Sequence, residues 1–71
     1  MSPERLVYMV NQIARFFARQ PEDMAAVAIA DHLRKFWEPR MRRQIVAMLD
    51  DPEHGLVPAA QKAVESLRSI S

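Results

Sequence analysis

The sequence predicts an all-α fold, a compact domain of four helices joined by short, proline-marked corners. Three observations predict it. Apolar residues recur at helical spacing in four segments. No segment shows the alternation of a half-buried strand. Five prolines punctuate the segments, while a single glycine leaves little room for long loops.

The first helix is expected to open at Ser2, with Pro3 at its first position and Glu4 at the positive end of its dipole. Leu6, Met9, Val10, Ile13, Phe16 and Phe17 form its apolar stripe, widened by Val7 and Ala14. Tyr8, Asn11, Gln12, Arg15 and Arg19 lie on the other side. An arc this wide touches more than one neighbour, which leaves room for a homodimer of the isolated chain. The helix should end near Gln20, because the residue before Pro21 is pushed out of the helical region. The second helix is expected over Pro21 to Phe36, with Glu22 and Asp23 in its first turn and Ala26, Ile29, Ala30, Leu33 and Phe36 or Trp37 facing inward. Its alanine-rich run "MAAVAIA" lets another backbone approach closely, and Asp31 and Lys35 are spaced to pair on the solvent side. Pro39 stops this helix and begins a third, whose Met41, Ile45, Met48 and Leu49 face inward. "DDPEHG" at 50–55 reads as a turn. A last helix starts near Pro58 with Ala60, Ala63, Val64 and Leu67 on one face, and Ser69 to Ser71 are expected to fray.

Composition narrows the function. The 71 residues are read as one helical domain over 1–71. A core this small supplies at most about 3–5 kcal/mol. The 49% apolar content is too high for a disordered chain. No apolar run approaches the roughly 20 residues needed to span a bilayer. The opening "MSPERL" lacks a signal peptide's apolar region, and cysteine is absent, so a cytoplasmic location is expected.

Catalytic chemistry is not visible. His32 and His54 have no companion at ligand spacing. Asp50, Asp51 and Glu53 lack the alternation and the terminal Glu of a calcium loop. No serine sits in pattern with a base, and the lone Gly55 cannot make a phosphate loop. The expectation is no catalytic residue, no metal and no cofactor in this chain.

Charge is the informative feature. Residues 32–43, "HLRKFWEPRMRR", carry five bases and one acid, while residues 1–31 sum to −1 and residues 44–71 to −2. Arg40, Arg42 and Arg43 crowd the start of the third helix, and Asp50 and Asp51 its end. Both placements oppose the helix dipole, at about 0.3–1 kcal/mol each. Arg40 and Arg43 are expected to project outward, with the Arg42 stem lying over Ile45 and Leu49. Three readings compete: a solvated face neutralised by Glu38 and Asp31, a nucleic-acid surface, or a docking surface for a protein. Acidic flanks and a net charge of +1 weigh against nucleic acid. Trp37, Tyr8, Met41 and the arginines have the composition of a protein interface. Phe36 continues the stripe of Leu33 and is assigned to the core. Trp37 lies one step off it and is the expected anchor.

"NQIARFF" at 11–17 followed by "HLRKFWEPRMRRQI" at 32–45 resembles the small delta subunit of NAD-dependent formate dehydrogenases. "LVYMVNQI" and "GLVPAAQKAVESL" are similar to the same family, so the likeness covers nearly the whole chain, with "KFWxPRMR" its most specific part. Glu38 and Val10 depart from that pattern, where Asp and a smaller residue are commoner. The resemblance implies a non-catalytic accessory subunit of a cytoplasmic, molybdenum- or tungsten-dependent enzyme. The larger subunits of such enzymes hold the pterin, iron–sulfur clusters, FMN and the NAD site, and this chain would support assembly or stability. On this reading the docking residues are Lys35, Trp37, Arg40, Met41, Arg42 and Arg43, with Tyr8 and Asn11 as weaker contributors.

Overall fold

A computed structural model describes the backbone of residues 2–70 and the side chains of residues 2–68. Four helices follow in order: α1 (Pro3–Phe16), α2 (Glu22–Phe36), α3 (Pro39–Ala47) and α4 (Pro58–Ile70). A short 3-10 turn, Met48–Asp50, extends α3. No strand occurs among the described residues, so the all-α expectation holds. The backbone is helical through Ile70, and Ser71, the last residue expected to fray, lies outside the described residues.

The helix starts follow local chemistry. The Ser2 side chain accepts from the Arg5 backbone N–H at 3.3 Å, and Pro3 occupies the first helical position. α1 ends four residues before the expected Gln20. Beyond Phe16 the chain winds on in tighter turns, with the N–H groups of Phe17, Ala18 and Gln20 donating three residues back. Pro39 starts α3, and Trp37 before it is extended at φ −91°, ψ 142°.

One apolar core joins all four helices. Leu6, Val10, Ile29, Leu33, Ile45 and Val64 are its largest fully enclosed side chains. The most extensive helix pairing is α2 against α4. Both helices bring buried alanines to the core, Ala26 and Ala30 from one and Ala60 and Ala63 from the other. Small side chains let the two helices approach closely, as the alanine-rich run predicts. Lys62 of α4 ties down the start of α2, reaching Glu22 at 2.6 Å and Asp23 at 2.7 Å.

Candidate docking surface

Leu33 closes the core beneath the corner between α2 and α3. At the corner itself the structure reverses one expectation. Trp37 is buried at 7% exposure, whereas Phe36 is 72% exposed. The reason lies in the spacing: Ile29, Leu33 and Trp37 form an i, i+4 ladder, and all three are buried. Phe36 follows Leu33 by three residues and falls on the flank, where its ring lies 4.8 Å from that of His32. The Trp37 expected as an interface anchor is therefore a core residue.

Arg42 is also not a free surface cation. Its Nη1 donates to the Arg34 carbonyl at 3.3 Å, to the Leu33 carbonyl at 3.5 Å and to the Trp37 carbonyl. These acceptors sit at the C-terminal end of α2, where orphan carbonyls concentrate negative partial charge. An arginine that is misplaced for its own helix thus closes the end of another. Arg68 does the same for α3, donating to the Val46 carbonyl at 3.3 Å and pairing with Asp50 at 3.0 Å. The Asp50 charge that opposes the dipole of α3 has this cation beside it.

Arg40 and Arg43 stand differently. Both are exposed, and no carboxylate among the described residues lies within ion-pair distance of either. The first turn of α3 contains no acid, and Glu38 makes no side-chain cap. Lys35 pairs with Asp31 at 3.0 Å across an exposed i, i+4 step, as its spacing predicts. Met41 is half-buried against the core.

The two α1 residues part company. Tyr8 is 59% exposed. Asn11 is engaged internally, its Nδ2 donating to the Gly55 carbonyl and its Oδ1 accepting from the Val57 N–H, both at 3.0 Å. This amide pins the loop entering α4 onto α1. Within that loop Asp51 accepts from the Glu53 N–H at 2.8 Å, and His54 Nδ1 accepts from the Leu56 N–H at 2.9 Å. Gly55 has φ +78°, the left-handed region that side chains resist.

An exposed aromatic row escaped the sequence reading. Phe16 is 85% exposed, and its ring meets that of Phe17 edge-on at 5.6 Å. Gln12, Ile13, Phe16, Phe17 and His32 line one depression, and Phe36 continues the row beyond His32. The sequence reading sets Phe16 in the apolar stripe of α1, of which Leu6, Val10 and Ala14 are buried and Phe16 is not. On another side Met24, Val27 and Ala28 line a second depression among Asp23, Asp31 and Arg34.

Among the described residues one ionic cluster is perturbed, at the start of α2 and away from the corner. A hydrogen bond from Lys62, reinforced by its charge, holds the Asp23 carboxyl below its ordinary range. The same bond, donated to Asp23, together with one donated to Glu22, pushes Lys62 up. Among the described residues no group of three or more His, Asp or Glu side chains is placed to hold a metal ion. No helix among the described residues is long and apolar enough to cross a membrane.

The arrangement offers a cationic corner and an aromatic flank on a small helical core. No curated protein and no solved structure matches the chain. A family model does match it, over residues 5–64, so that all four helices contribute to the match. The chain belongs to the family described as NADH-dependant formate dehydrogenase delta subunit FdsD.

Proposed function

We propose that this delta-subunit chain is a non-catalytic accessory subunit that works in the cytoplasm. It docks on the larger subunits of an NAD-dependent, molybdenum- or tungsten-containing formate dehydrogenase and supports their assembly or stability. It holds no cofactor itself. The observation that carries the docking reading is the exposed start of α3, where Arg40 and Arg43 have no internal acid beside them. Uncompensated cations at the positive end of a helix favour an anionic partner. Lys35, Met41 and, more distantly, Tyr8 complete the contact surface. Trp37, Arg42 and Asn11 serve it indirectly by fixing the corner and the loop.

A nucleic-acid partner is the weaker reading. The two unpaired arginines of this corner, on a chain of net charge +1, neutralise few phosphates. The deciding experiment tags this chain, co-expresses it with the larger subunits and measures what co-purifies, for the wild type and for Arg40→Glu/Arg43→Glu. The expected result is retained folding with lost association, because charge reversal opposes an acidic partner surface. Retained folding with full association would reduce the corner to a solvated face. Sub-micromolar affinity for DNA or RNA at physiological salt would favour the alternative.

A further inference from the structure

We infer that the aromatic row of Phe16, Phe17, His32 and Phe36 is the apolar anchor of this docking surface. Its occupant is an apolar patch on a larger formate dehydrogenase subunit, bordered by carboxylates. The inference rests on the docking reading above and adds the part of the surface that carries affinity.

Phe16 and Phe36 are 85% and 72% exposed, a costly display for a domain of this size. They are not isolated. Phe16 meets Phe17, Phe17 shares a depression with His32, and His32 lies against Phe36. The row therefore runs without a break from the end of α1 to the last residue of α2. Aromatic side chains bury large areas and are enriched at protein interfaces, phenylalanine among them.

Charge decides the occupant. Phe36 ends α2, and Arg40 follows four residues later, no more than roughly 14 Å along the chain. The unpaired cations of the α2–α3 corner therefore lie within that reach of the row's Phe36 end, with Glu38 between them in sequence. A second copy paired across a two-fold axis would bring each cationic end against the partner's Phe16–Phe17 end, whose depression is lined by no carboxylate. A partner with acids around an apolar centre meets both features. The Met24–Val27 patch lacks this polarity, because acids and a base alternate around it.

The test co-expresses tagged chain and larger subunits and compares Phe16→Ser/Phe36→Ser with Met24→Ser/Val27→Ser. Thermal melts and gel filtration of each free chain accompany it. All four side chains are exposed, so both variants should melt like the wild type. The expected result is association weakened at least about tenfold for the phenylalanine variant and unchanged for the other. Phe16→Leu/Phe36→Leu should restore most of it. If the wild type co-purifies and the phenylalanine variant does so equally, the aromatic anchor is wrong while the docking function stands. If loss follows Met24→Ser/Val27→Ser instead, the anchor lies on the other face. A free chain that is dimeric, and that Phe16→Ser/Phe36→Ser makes monomeric, would assign the row to a second copy. A wild type that associates with no larger subunit overturns both readings.

Discussion

The α2–α3 corner and the turn before α4 pose the same puzzle, and the structure resolves them differently. Each concentrates charged or polar residues between helices, and each carries charges at the wrong helix end. In the turn, Asp50 meets Arg68, Asp51 caps Glu53, His54 holds the Leu56 N–H, and Asn11 clamps Gly55 and Val57. At the corner Arg42 is used in this way and Lys35 pairs with Asp31, while Arg40 and Arg43 make no side-chain hydrogen bond or ion pair among the described residues. A misplaced charge is thus no sign of function until the carbonyls and carboxylates of neighbouring elements have been searched for its partner. The turn is internal bracing. The corner is bracing with a remainder, and that remainder is what a partner would take.

The largest expected effect lies in the core under the corner. Leu33→Ala should cost about 2–5 kcal/mol in a denaturant melt, because the side chain is fully enclosed. A domain with so little stability to spare could unfold outright. A loss under 1 kcal/mol would mean that the corner is not seated on a packed core.

Arg42→Ala comes next, and it separates bracing from docking. Removing charged hydrogen bonds to the α2 carbonyls should cost about 1.5–3 kcal/mol. Arg42→Glu should cost more, since it sets an acid against the negative end of α2. The sequence assigns docking to Arg40 and Arg42 alike, so equal melts for Arg40→Glu and Arg42→Glu would mean that Arg42 does not brace α2.

In the turn, Asn11→Ala removes two hydrogen bonds and should cost about 1–2 kcal/mol. Hydrogen exchange should quicken at the Val57 amide, which donates to Asn11. An unchanged exchange rate there would sink the clamp. Arg40→Glu, by contrast, should leave stability unchanged or raise it by up to about 1 kcal/mol, as an acid in the first turn of α3.

The smallest effect is a pH dependence confined to the α2–α4 tie. Asp23 is held below its ordinary value, so its contribution is present above about pH 4 and fades as the pH falls through the folded value. Lys62 is raised, so its contribution is present below about pH 10 and is lost only at stronger alkalinity. Lys62→Ala should flatten the acid limb of a stability–pH curve. A limb that keeps its full slope would place the titration elsewhere.

By itself the sequence determined the helices and most of what they bury. Prolines at 3, 39 and 58 set three starts, Ser2 caps the first, and the stripes of α2 and α4 enter the core as their spacing predicts. These features depend on neighbours within a turn or two, where backbone geometry fixes which residues share a face. Only the tertiary structure decided what became of the corner. The ladder of Ile29 and Leu33 runs on to Trp37, just past the end of α2, and the core covers it there while Phe36 stays on the flank. Arg42 reaches back to carbonyls up to nine residues away, and Asn11 to a loop 44 residues on. A side chain's hydrogen-bond partner across such separations depends on how whole helices pack, and no local spacing encodes it. The same packing separates the arginines that brace this chain from those it leaves exposed.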